Sequence, residues 1–112
     1  MRLFVDVDDT LILWSKELKG GLYATKYERN EAVARFVRIF RQTHPEGIVI
    51  VWSLGGQEYA AKHAREQIPG LYNECRAKYP AIPVPGDLFI DDDPLPSYRS
   101  AFIHPDALGG EE

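Results

Sequence analysis

Near its start the chain carries Phe4-Val5-Asp6-Val7-Asp8-Asp9-Thr10-Leu11, an apolar run that ends in three carboxylates and a hydroxyl. Carboxylates this close repel one another and push a pKa upward, so they need a cation, a proton or solvent for relief. A bound Mg2+ would supply it. A second run of the same design lies near the far end, where Asp87-Leu88-Phe89-Ile90 leads into Asp91-Asp92-Asp93-Pro94. In parallel α/β sheets ligands gather at the carboxyl ends of strands, so two strands ending in acids can set both clusters around one crevice. Mg2+ takes hard oxygen ligands and keeps several waters, which suits one or two carboxylates together with a phosphate.

Asp6 and Asp8 are two residues apart, a spacing that puts both side chains on one side of an extended chain and lets both address one phosphate. The plain alternative is a turn whose Asp and Thr side chains cap backbone amides. Ser53 follows the most apolar run, where its hydroxyl and neighbouring amides such as that of Leu54, loosened by Gly55 and Gly56, could donate to a phosphoryl group. A helix cap is the plain reading of such a serine.

Residues 2 to 7 read as a buried strand. Leu11 to Trp14 and Leu22 to Thr25 are two short segments around Gly20-Gly21, a β-hairpin pattern. Asn30 caps a helix over Glu31 to Gln42, with Val33, Phe36, Val37 and Phe40 at helical spacing. Gly47 to Trp52 is apolar on both faces, as a central parallel strand should be. A helix over Gln57 to Gln67 follows. Leu71 to Tyr79 is ambiguous between a strand and a helical turn, and a strand is favoured. Leu88 to Ile90 is a strand, Pro94 to Tyr98 a turn, and Ser100 to Ile103 a last strand. Alternating strands and helices imply right-handed crossovers and a parallel sheet.

The chain has 112 residues, enough for one domain with its own core but not for a second substantial one, so any lid must be local. With 45% hydrophobic and 27% charged residues, neither disorder nor membrane insertion is expected. Asp6 interrupts the apolar start before a signal-peptide core forms, and Cys75 stands alone, so a reducing cytoplasm is expected. The net charge of −4 does not advertise nucleic acid. Lys16, Lys19, Lys26, Arg29, Arg35, Arg38 and Arg41 are read as a solvated face. His44, His63 and His104 are not spaced as a metal set and are read as surface or strand-end residues. Trp14, Tyr23 and Tyr27 either line a substrate entrance or pack the hairpin on the body.

Taken in order, these elements resemble the haloacid dehalogenase-like hydrolases, whose first motif is Asp-x-Asp-x-Thr after strand one. Asp6, Asp8 and Thr10 match it, and Asp9 stands where that family often has Gly. The resemblance runs from Leu3 to about Pro105. It implies an α/β three-layer Rossmann-like sandwich with a central, mostly parallel sheet and a β-hairpin flap at about 11–27. The implied activity is that of a capless Mg2+-dependent phosphomonoesterase.

By the same resemblance, Asp6 is the nucleophile that forms an aspartyl-phosphate and also a metal ligand. Asp8 protonates the leaving oxygen and then activates water, while its backbone carbonyl takes a metal position. Thr10 holds the loop or orients Asp8, and Ser53 with Leu54 binds phosphate. The third motif is a lysine, for which Lys78, just before a proline-containing loop, is preferred over Lys62. In the fourth, Asp91 ligates Mg2+ with Asp92 as a further or water-bridged ligand, and Asp93 points outward or caps the turn. The run Asp91 to Pro105 also resembles the end of small protein-serine phosphatases acting on polymerase tails, but Asp-Asp replaces their Asp-Asn and a shared substrate does not follow. The substrate class is left as a phosphoprotein, a nucleic-acid end or a nucleotide, and the chain as a monomer or homodimer. A response-regulator receiver is disfavoured because the middle strand, Ile48 to Trp52, ends in Ser53 and carries no Asp. The non-enzymatic alternative is a phosphate-binding or regulatory module.

Overall fold

A computed structural model describes residues 1–14 and 26–108. Their elements are β1 (Arg2–Asp6), β2 (Ile12–Trp14), β3 (Tyr27–Arg29), α1 (Glu31–Thr43), β4 (Ile48–Ser53), α2 (Gln57–Gln67), β5 (Glu74–Ala77), β6 (Leu88–Ile90) and β7 (Phe102–Ile103), with short 3-10 stretches at Pro96–Ala101 and Pro105–Leu108. Five strands form one sheet in the order β5-β4-β1-β6-β7, and every pairing in it is parallel. The chain leaves β1 toward β4 and β5 and then returns to its other side at β6. That reversal makes the carboxyl ends of β1 and β6 the switch point where ligands gather in such sheets.

Strand alternation separates two cores. On one face Leu3 and Val5 of β1 and Val49 and Val51 of β4 meet Val33, Val37 and Phe40 of α1 and Ala60 and Ala64 of α2. Asn30 starts α1 by accepting from the amides of Ala32 and Val33 at 3.1 and 3.4 Å. Gly47 is required behind the helix, because a Cβ there would lie 2.8 Å from the Phe40 ring. On the other face Phe4, Ile50, Trp52, Phe89 and Tyr98 form an aromatic layer, with Phe89 stacked on Tyr98 at 4.5 Å.

Both α-helices therefore cover one face. The third layer of the expected sandwich is thin: loop 78–87 and the 3-10 stretch at Pro96–Ala101 close the second face. Prolines at 80, 83, 85, 94 and 96 deny those connections the amide donors and the φ freedom of a longer helix.

Strand one ends at Asp6 rather than residue 7, and the favoured strand within 71–79 is β5. Only the end of the segment expected over Ser100 to Ile103 is strand. The expected hairpin segment Leu22 to Thr25 lies outside the described residues. What is seen is a two-stranded antiparallel ribbon, β2 with β3, pairing Trp14 with Tyr27 and Ile12 with Arg29. Among the described residues no helix is long and apolar enough to cross a membrane.

At the amino ends of the strands, Arg2 grips Asp87 through two bonds of 3.0 and 2.7 Å, and the Val84 amide adds a third at 2.9 Å. Burial raises the Asp87 pKa, but Arg2 and the Val84 amide outweigh it and hold the carboxyl below its ordinary value. A depressed carboxyl contributes stability above its unfolded pKa and loses it as pH falls through the folded one. Asp87→Asn should therefore cost about 2 kcal/mol near neutral pH. In urea melts the gap from wild type should shrink as pH drops below about 4.

Candidate active site

The loop after β1 is a compact turn in which the amides of Leu11 and Ile12 bond back to the carbonyls of Asp6 and Val7 at 3.2 and 3.1 Å. Fully buried Val7 and Leu11 anchor it. Asp9 holds a φ of +55°, a left-handed conformation that favours glycine but that Asp adopts more readily than most residues. The turn thus has a reason to prefer Gly at that position and to tolerate Asp.

Asp6 is 7% exposed and Asp91 1%, and one carboxylate oxygen each from Asp6, Asp91 and Asp92 lie within 4.8 Å of one another. Lys78, which follows β5, reaches across to both ends of the chain. Its Nζ donates to Asp6 Oδ1 at 3.0 Å and to Asp91 Oδ2 at 2.6 Å, with the side chain 3% exposed. The competing lysine, Lys62, is exposed on α2.

Thr10 is fully buried, and its hydroxyl lies 3.3 Å from Asp6 Oδ2 and 3.3 Å from Asp92 Oδ1 while accepting from the Asp92 amide at 3.2 Å. It ties the two acid clusters together and makes no side-chain bond to Asp8. Tyr98 completes the set from below: its hydroxyl donates to Asp91 Oδ2 at 2.5 Å. The Asp93 amide donates to Asp91 Oδ1 at 3.0 Å, and the Asp93 side chain is exposed.

Three carboxylates face one ammonium. Burial first, and then Asp91, push the Asp6 pKa up to about 8 although Lys78 pulls against them. Burial also raises Asp92. Burial alone would lower Lys78, but Asp6 and Asp91 outweigh it and raise that pKa. Burial and the bond to Asp91 lift the Tyr98 phenol to about 12. By count, three carboxylates against one ammonium leave negative charge that a cation would offset. All three side chains offer hard oxygen, the donor set Mg2+ prefers. The residues fit the ion.

Asp8 stands apart from this group. Because the chain leaves its extended conformation at Asp6, the alternation that would point both side chains the same way stops there. The Asp8 carboxylate turns toward β2 and α2, where Oδ1 accepts from Trp14 Nε1 at 2.9 Å and from the Tyr59 hydroxyl at 2.6 Å. Burial and Asp8 raise the Tyr59 pKa.

Ser53, 1% exposed, does not cap α2; the cap position is Gly56, at φ +106°. Its Oγ accepts from the Gly55 amide at 2.9 Å, forming a turn that places Leu54, 63% exposed, at the sheet's carboxyl edge. The Ser53 carbonyl accepts from the amide of Lys78 at 3.0 Å, so the serine loop and the lysine are fastened to each other.

Of the aromatic residues expected near an entrance, Trp14 and Tyr27 pack the ribbon on the body and Tyr23 lies outside the described residues. Tyr27 donates to Glu66 at 2.7 Å, and its ring meets His63 edge-on at 5.0 Å. His63 is accordingly buried rather than on the surface, with Nδ1 lacking a hydrogen-bond partner among the described residues. Tyr98 and Tyr59 are the site residues that sequence reasoning left without a role in it, and the bond from Trp14, expected only at an entrance or in hairpin packing, to Asp8 was not foreseen. Their side chains touch the acids only through tertiary packing, and no local spacing announces them. Comparison with protein-family models, curated proteins and solved structures finds no match to this chain.

Proposed function

We propose that this chain is a Mg2+-dependent phosphomonoesterase of the haloacid dehalogenase-like type, working through an aspartyl-phosphate on Asp6. The observation that carries the reading is the meeting of Asp6, Lys78 and Asp91 in one buried group, with Asp92 beside it, at the switch point of a parallel sheet. Residues so distant in sequence converge where this fold binds ligands, and their types are those that phosphoryl transfer needs.

An Asp6 oxygen attacks phosphorus, forming the acyl-phosphate O–P bond as the bond to the leaving oxygen breaks; that oxygen takes a proton from Asp8. Water then attacks phosphorus, giving its proton to Asp8, and the Asp6–phosphorus bond breaks to release phosphate. Lys78 offsets charge on the nucleophile and the phosphoryl oxygens, while Ser53 and the amide of Leu54 offer donors to the same oxygens. Asp6, Asp91 and Asp92, together with the Asp8 carbonyl, would hold Mg2+, which supplies charge neutralisation on the phosphoryl group. Thr10 keeps Asp6 and Asp92 in register.

In this reading the β2–β3 ribbon, whose Trp14 bonds Asp8, serves as the local flap. A phosphorylated small molecule, nucleotide, nucleic-acid end or protein side chain presents the same phosphomonoester to the site. With a single cysteine the chain suits a reducing cytoplasm.

The test is phosphate release from a panel of phosphomonoesters, p-nitrophenyl phosphate among them, with Mg2+ and with chelator. Release that needs Mg2+ and disappears in Asp6→Asn supports the reading. Binding of phosphate without turnover of any panel member would replace it with the phosphate-binding module.

A further inference from the structure

Among the described residues Asp8 is gripped by one oxygen only. Trp14 Nε1 and the Tyr59 hydroxyl converge on Oδ1 from different elements, and among the described residues Oδ2 receives no donor. Both donors are themselves fixed. The Tyr59 ring packs so close to Gly55 that a Cβ there would lie 3.0 Å from it, and it meets His63 edge-on at 4.6 Å. Tyr27 stands 5.0 Å from His63 and 5.1 Å from Trp14. An aromatic row thus links the ribbon to α2 and to the serine loop, with Asp8 held at the meeting point of its two ends.

We propose that Tyr59 and Trp14 are positioning residues for the acid/base Asp8: by engaging Oδ1 they leave Oδ2 as the oxygen that delivers the proton to the leaving group. This inference rests on the phosphomonoesterase reading and deepens it. When the bond from phosphorus to the leaving oxygen breaks, its electron pair stays on that oxygen, which takes the Oδ2 proton. An alkoxide leaving group depends on that proton. A nitrophenolate, stabilised by its ring, departs without it. Loss of positioning should therefore appear as discrimination between leaving groups, which a loss of folded protein cannot mimic because it scales both substrates alike.

The experiment measures kcat/KM, which reports steps up to departure of the leaving group, for glycerol 2-phosphate and p-nitrophenyl phosphate in Mg2+. Tyr59→Phe keeps the ring and removes the hydroxyl; it should lower the alkyl-to-aryl ratio about tenfold or more, within the range of general acid catalysis. Trp14→Phe should shift the ratio in the same direction and serves if Tyr59→Phe does not fold. In an Asp8→Asn background, Tyr59→Phe should change the ratio by less than about twofold, because the group it positions is gone. A ratio unmoved in both single variants, or a Tyr59 effect of equal size without Asp8, overturns the inference while leaving the phosphatase standing. A wild-type protein that hydrolyses neither ester overturns the phosphatase reading and this inference with it.

Discussion

Asp6→Asn should abolish phosphate release and yet make the metal-free protein more stable. Loss of a covalent nucleophile removes the whole two-step route, so turnover should fall at least about a thousandfold. The gain in stability comes first from the cost of burying the Asp6 charge and then from its repulsion by Asp91. Burial and Asp91 raise the Asp6 pKa to about 8, so the folded chain prefers this group neutral. A carboxyl whose folded pKa lies above its unfolded value of about 3.9 favours folding in acid, and the fold loses that advantage as pH rises from the unfolded toward the folded pKa. Asparagine removes the penalty while keeping the shape. Thermal melts in chelator should show the variant above wild type, by a margin that widens from pH 5 to pH 8. Added Mg2+ should raise the wild-type melting temperature and narrow the difference, because the ion neutralises the same charge. A variant less stable than wild type at pH 8 would mean that the Lys78 pairing outweighs carboxylate repulsion.

Lys78→Met carries the second large effect, with the opposite sign. Lys78 is the ammonium that touches both Asp6 and Asp91, and all three are buried. Removing one partner of a buried ion pair leaves uncompensated charge and costs about 3–5 kcal/mol. Methionine keeps most of lysine's unbranched stem and drops the ammonium, so the loss is mainly electrostatic rather than a cavity. Denaturant melts in chelator read that loss, and Mg2+ should recover part of it. Lys62→Met, on an exposed helix position, should change stability by no more than about 0.5 kcal/mol. The pair of variants separates the two lysines that the sequence offered.

Much of this arrangement was legible before any coordinates, for identifiable reasons. A short apolar run that ends in acids reads as a strand delivering them at its carboxyl end, and Asp6 closes β1 while Asp91 follows β6, both buried against Lys78. Asn30 announced α1 because its side chain can satisfy free amides, and it accepts two of them. Lys78 stood out because it lies just before a proline-containing loop and the last acidic strand, whereas Lys62 sits within a helix where a charged residue is ordinarily surface.

The rest required tertiary information. Alternation along a strand says nothing once the strand has ended, which is why the direction of the Asp8 side chain was not predictable from its spacing to Asp6. Tyr98 sits in a proline-flanked turn whose sequence signals only a change of direction; its bond to Asp91 arises because the turn folds back under the sheet and stacks the ring on Phe89. His63 looked like a surface histidine on a polar helix until Tyr27 of the ribbon covered it. The thin third layer could have been foreseen: the prolines in 80–96 are poor material for a covering helix.

The account rests on Asp6 taking up phosphorus, and acid-quenched turnover of a 32P-labelled phosphomonoester in Mg2+ tests that step directly. Wild-type protein should retain a hydroxylamine-labile label that maps to the peptide containing Asp6, and Asp6→Asn should retain none. Release of phosphate by wild type with no such label, or with the label on another residue, would contradict it.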